Sequence, residues 1–109
     1  MAPEEREQLY DRLAGELCED PAVAPGTMMG FPCLRVHGEF FASLERSTGN
    51  LIVKLPAGAV TELIEAGTAE PFAPAGRVFR EWAEVQGADS DEWRALLGRA
   101  KQFVQQLGS

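Results

Sequence analysis

The chain has 109 residues and a mass of 11.9 kDa, with 45% hydrophobic and 25% charged residues. This is the length of one domain and the composition of a globular protein, which excludes a disordered or low-complexity chain. Ten Lys and Arg against 17 Asp and Glu give a net charge of −7. That charge disfavours a general nucleic-acid-coating protein, because such binding draws on the neutralisation of phosphates. We expect one domain over residues 1–109.

The sequence contains no uninterrupted apolar run of about 18 residues, so we expect no membrane partner. The first residues, MAPEEREQLYDRL, are acidic and amphipathic, unlike a secretory signal, which begins with basic residues and continues with an apolar stretch. We therefore expect a cytoplasmic protein. The two cysteines, Cys18 and Cys33, have no zinc-binding spacing, and we expect both to be small core residues in a reducing compartment.

The first predicted element is a helix from about Pro3 to Cys18, because apolar residues recur in it at helical spacing and acidic residues occupy its first turn. Residues 27–29 supply a possible short strand. Three further strands follow, where apolar and other residues alternate: residues 32–36, 40–44 and 51–55. The connection at His37-Gly38 is short enough for a hairpin, so these strands are predicted to form an antiparallel meander.

The alternation also predicts which residues share a face of the sheet. Phe40 alternates with Phe41, and so falls on the apolar side together with Ala42 and Leu44. Phe41 and Ile52 fall on the opposite side, with Arg35 and Lys54. Since that side would hold apolar and charged residues together, it is expected to meet either the chain's own helices or a partner.

The second half of the chain predicts a short helix opened by Pro56 and closed by Gly67. Residues 70–76 are predicted to be an ordered loop or a brief edge strand, because they contain two prolines. Residues 77–85 are predicted as another strand, with Phe79 on its apolar side. The final helix starts at Asp89, where a capping-box-like pattern precedes apolar residues with a 3.6-residue period.

These elements predict an α+β fold, in which an antiparallel β-meander sheet has flanking N-terminal, middle and C-terminal helices. The runs that carry this pattern are MMGFPCLRVHGEFFASL, LIVKLPAGAVTELIEAG and EPFAPAGRVFREWAEV, followed by the closing helix. Over residues 20–107 this order resembles the TfoX N-terminal domain family and the related MmcQ/YjbR-like proteins. The resemblance implies the same α+β fold and a non-enzymatic or uncharacterised role, so we expect a protein-interaction or regulatory module. It also keeps nucleic acid as an alternative ligand, since the YjbR-like relatives have been likened to a DNA-binding arrangement.

No catalytic motif, metal-ligand spacing or cofactor signature occurs in the sequence, so we predict no enzyme, no metal site and no cofactor. The single histidine, His37, lies at the predicted hairpin turn and is expected to be exposed there. The acidic clusters near both terminal helices lie at helix starts, where the helix dipole accounts for them.

The candidate binding residues lie on the predicted sheet: Arg35, Lys54, Arg77, Arg80 and Trp82. Arg35 and Lys54 are expected on neighbouring strands, facing away from the apolar side. Arg80 beside Trp82 could stack a base or hold a phosphate. Ordinary cross-strand pairing is the alternative interpretation of the same residues.

Three functional hypotheses follow from these observations. The first is a non-catalytic module that binds another protein, or a second copy of itself, through the mixed face of the sheet. The second is a nucleic-acid-binding protein that uses the four basic residues. The third, less favoured, is a small-ligand-binding protein.

Overall fold

The computed structural model describes residues 2–28 and 30–107, which fold into three α-helices and six β-strands. The helices are α1 (Pro3–Leu17), α2 (Ala57–Glu65) and α3 (Ser90–Leu107). The strands are β1 (Val23–Met28), β2 (Phe31–Val36), β3 (Glu39–Glu45), β4 (Asn50–Lys54), β5 (Ala69–Phe72) and β6 (Phe79–Val85). A single turn of 3₁₀ helix, Pro74–Gly76, connects β5 to β6.

The strands form one antiparallel sheet in the order β1-β2-β3-β4-β6-β5. The predicted α+β fold with an antiparallel sheet and three flanking helices is therefore confirmed. Of the two alternatives predicted for residues 70–76, the brief edge strand is present at residues 69–72, and the possible strand at residues 27–29 extends back to Val23. Met29, the last residue of that predicted strand, lies outside the described residues. Arg77 precedes β6 instead of beginning it.

The hairpin between β2 and β3 turns at His37-Gly38, as predicted. Both residues have positive φ, 50° for His37 and 83° for Gly38. A two-residue turn of this kind matches the twist of the strands it joins. His37 is exposed, and its imidazole Nε2 lies 3.4 Å from the Gln105 side-chain nitrogen at the end of α3.

A β-bulge separates the two phenylalanines of β3. Leu34 pairs with Ala42 and the next residue, Arg35, pairs with Phe40, so Phe41 is the extra residue on β3. As a result Phe41 is fully buried in the core together with Ala42. The prediction that Phe41 shares the face of Arg35, with Phe40 on the apolar side, is wrong. Strict alternation cannot anticipate a bulge.

All three helices contribute to one hydrophobic core on one face of the sheet. The core contains alternate residues of the central strands, among them Leu34, Ala42 and Val53, packed with apolar residues of the helices. The largest of these is Trp93 of α3, which is fully buried and donates its indole N–H to the Gly87 carbonyl at 2.7 Å. This burial is what holds α3 against β2, β3 and β4.

Polar contacts position α1 beside α3. The Arg94 guanidinium of α3 donates to both carboxylate oxygens of Glu16, at 3.1 and 3.2 Å, and Lys101 lies 2.7 Å from Asp20. At the other end of α1, Arg6 donates to the Asn50 side chain at 3.2 Å and to the Gln86 carbonyl. Within the described residues, no helix is long and apolar enough to cross a membrane.

Candidate functional site

The sheet has a second face that lies away from the helices, and we call it the outer face. It carries the strand residues that alternate with the core positions. Three register pairs define its central row: Cys33 with Ser43, Ser43 with Ile52, and Ile52 with Glu84. Cys33 and Ile52 are shielded from solvent, yet neither belongs to the core cluster that joins the helices to the sheet. Long side chains in the flanking rows therefore provide their cover.

The first flanking row of the outer face consists of two cation–aromatic pairs. The Arg35 guanidinium carbon lies 5.8 Å from the centre of the Phe40 ring, across the β2–β3 pair. The Lys54 ammonium lies 6.0 Å from the Trp82 ring, across the β4–β6 pair. Contacts of this length are favourable and hold each cation in place over a ring. Arg35 and Lys54 lie on β2 and β4, which are separated by β3, so the prediction of neighbouring strands is wrong.

The row continues into an aromatic cluster at the edge of the sheet. The Phe72 ring centre lies 6.4 Å from that of Trp82 and 6.0 Å from that of Phe79. Arg77 lies over Phe79 at 5.3 Å. The register of β5 and β6 shifts after Pro71, so that Phe72 pairs with Phe79. Phe79 is 37% exposed, and the prediction that it joins the buried apolar side is wrong because of this shift.

Arg35 occupies a specific place on the outer face. A Cβ atom built on Gly26 of the neighbouring strand β1 would lie 3.1–3.3 Å from three atoms of the Arg35 guanidinium group. The guanidinium therefore lies against the bare backbone of Gly26. Its Nε atom is buried and has no hydrogen-bond partner among the described residues. The cation is thus held in a fixed position with part of its donor capacity unused.

The four predicted basic residues, Arg35, Lys54, Arg77 and Arg80, share one further property. Each lies toward the same end of the sheet, and none forms an ion pair within the described part of the chain. Four positive charges without carboxylate partners make this end of the outer face, which we call the basic end, attractive to an anionic group.

Carboxylates occupy the rest of the outer face, and neutral groups hold them. Glu84 accepts from the Asn50 amide at 2.7 Å, and Glu70 accepts from the Gln86 amide at 2.9 Å. Glu45 accepts from the backbone N–H and the hydroxyl of Ser47, both at 2.9 Å. None of the three forms a salt bridge within residues 2–28 and 30–107. Positive and negative charges are therefore present on one face but do not neutralise each other.

A groove of about 410 Å³ runs from the basic end to α2. The residues that line it are Ala57, Gly58, Val60, Thr61, Ile64, Pro71, Val78, Phe79, Arg80 and Trp82. Val78 and Phe79, at its rim, are among the exposed large hydrophobic residues of the chain. The groove extends the apolar surface around Trp82 beyond the sheet and places Arg80 at its margin.

The titratable groups near the core are held in their neutral forms. Burial raises the pKa of the Tyr10 hydroxyl and of the Cys33 thiol. Cys33 is therefore a weak nucleophile. Among the described residues, no group of three or more His, Cys, Asp or Glu side chains converges in a way that could hold a metal ion.

Comparison with protein-family models, with curated proteins and with solved structures finds no match to this chain.

Sequence reasoning named all four cations and Trp82, and the structure brings them to one end of the outer face. It missed Phe40 and Phe72 as parts of the same surface. Neither phenylalanine carried a usable signal, because the bulge moves Phe40 to the outer face and the register shift after Pro71 brings Phe72 against Phe79.

Proposed function

We propose that this chain is a small, non-catalytic, cytoplasmic interaction module of the TfoX N-terminal type, with a regulatory role, which binds another protein through the outer face of its sheet. The observation that carries the proposal is the outer face itself. It combines a row of cation–aromatic pairs with carboxylates that lack cationic partners, and the helices lie on the opposite face. A face with aromatic anchors and unneutralised charge is typical of a binding surface.

The form of the sheet edges supports a face instead of an edge as the binding surface. The edge strand β1 contains Pro25, and the edge strand β5 has four residues, one of which is Pro71. Proline and short length both disfavour the addition of a further strand. The aromatic residues of the outer face are therefore the more suitable anchors for a partner.

The test is a quantitative capture experiment with matched baits. The immobilised wild-type chain is compared with a Lys54→Glu/Trp82→Ala variant and with Arg12→Glu, whose charge change lies on the exposed surface of α1. Partner proteins are expected to be retained by the wild type and by Arg12→Glu, and to be lost from the double variant. If every retained protein binds all three baits equally, the outer face is not the binding surface and the proposal is wrong.

Nucleic acid is the second candidate partner, because Arg35 over Phe40 and Lys54 over Trp82 resemble the aromatic and cationic groups that hold single strands. Fluorescence anisotropy with labelled single- and double-stranded DNA, at about 50 mM and about 200 mM salt, tests it. Binding that weakens steeply with salt and is lost in Lys54→Glu would support this candidate. Absence of binding at the lower salt concentration would remove it.

A further inference from the structure

We infer that the outer face binds the outer face of a second copy of this chain, in a two-fold symmetric, antiparallel arrangement. The inference rests on the proposed function, since it takes the same face as the interface and names its partner. It also requires that the charges of this face complement those of an identical face.

The distribution of charge over the whole chain permits two outer faces to approach. Residues 1–26, which include α1, have seven acidic residues and two basic ones, whereas residues 27–80 have five of each. The excess negative charge of α1 therefore lies on the helical side of the sheet. Two copies that meet through their outer faces keep these helices on the outside of the pair, where their mutual repulsion is weakest and most screened.

The charges on the outer face itself are separated along the strands. Lys54 and Trp82 pair with each other in one row, and Ile52 and Glu84 pair in the next row, two residues along the same strands. Arg80 lies two residues beyond Trp82. The row of Lys54 is therefore basic and aromatic, and the row of Glu84 is acidic and apolar. Neither charge is neutralised by an ion pair within the described residues.

A two-fold axis that crosses the strands between these two rows makes the face self-complementary. Such an axis lies in the plane of the interface and reverses the strand direction, so the basic row of each copy lies over the acidic row of the other. Lys54 then lies over Ile52 of the second copy, with Glu84 of that copy one strand, about 4.8 Å, to the side, and Trp82 lies over Glu84. Because the contact is symmetric, each pairing occurs twice. The side chains that meet are those of the flanking rows, because most of the central row is already buried within one copy.

The experiment uses sedimentation velocity of the full chain from about 5 µM to about 500 µM, at low and at high salt. We expect a monomer–dimer equilibrium that weakens with salt. Lys54→Glu alone places Glu near Glu84, and Glu84→Lys alone places Lys near Lys54. Each single variant should dissociate at least about tenfold more readily than the wild type. Circular dichroism confirms that each variant is folded.

The decisive measurement is an equimolar mixture of the two variants. In a heterodimer of Lys54→Glu with Glu84→Lys, both symmetric contacts again join opposite charges, so the mixture should form a dimer although neither variant does so alone. Arg12→Glu, with the same change of charge on α1, should dimerise like the wild type.

Two results would overturn the inference: a wild-type monomer at every concentration, or a dimer whose stability both charge variants leave unchanged. Neither result would refute the proposed function, which the capture experiment tests separately. Loss of another protein from the double-variant bait would still support the outer face as a binding surface.

Discussion

The β-bulge of β3 makes a quantitative prediction about two adjacent phenylalanines. Phe41 is fully buried in the core, whereas Phe40 is half-buried beneath Arg35 on the outer face. Truncation of a fully buried Phe to Ala costs about 3–5 kcal/mol, from lost transfer free energy and from the cavity that remains. Phe40→Ala removes partial burial and one cation–aromatic contact, for which we expect a loss of about 1–2 kcal/mol in the free energy of unfolding.

Urea denaturation followed by circular dichroism measures both values. A domain of this size is stable by about 5–15 kcal/mol, so Phe41→Ala removes a large part of the total. Phe41→Leu and Phe40→Leu provide a milder matched pair if Phe41→Ala does not fold, with the larger loss again expected at residue 41. If the variants at residue 40 lose as much stability as those at residue 41, or more, the bulge does not direct Phe41 into the core and the reasoning fails.

Three further comparisons test other parts of the structure by the same assay. Asp89→Ala removes the side-chain oxygen that accepts from the third backbone N–H of α3 at 3.0 Å, and should lower the free energy of unfolding by about 1 kcal/mol. Asp91→Ala, an exposed change in the same turn, should lower it by less than about 0.5 kcal/mol. Equal losses would contradict the role of Asp89 as the helix cap. Hydrogen bonds from Arg94 hold the pKa of Glu16 below its ordinary value. The stabilising contribution of the Glu16 carboxylate is therefore complete at neutral pH and is lost as pH falls through the lowered pKa. The small difference in urea midpoint between wild type and Glu16→Gln should therefore disappear in acid, and a difference that grows in acid would refute the sign. Gly49→Ala should lower the free energy of unfolding by at least about 1 kcal/mol more than Gly38→Ala does. Both positions have positive φ, but only a Cβ at residue 49 would collide with the Arg6 side chain, at 2.6–2.8 Å. Similar losses in the two variants would exclude that contact as a constraint.

Local chemistry was sufficient to predict most of the elements. Alternation located β2, β3 and β4, the 3.6-residue period located α1 and α3, and Asp89 marked the start of the last helix. The hairpin turn at His37-Gly38 was also predicted correctly, because a two-residue connection between antiparallel strands allows few backbone conformations. These features depend on neighbours within a few residues, and for that reason the sequence alone was enough to predict the α+β fold class.

Tertiary structure decided the composition of the outer face. The bulge opposite Leu34 moved Phe40 onto that face and Phe41 off it, and the register shift after Pro71 brought Phe72 against Phe79. Both are offsets in the pairing of two strands, so they depend on how the strands are placed side by side in the sheet. Alternation within a single strand contains no information about such offsets. The separation of cations from carboxylates on the outer face, on which the proposed dimer depends, became visible only after the strands were placed side by side.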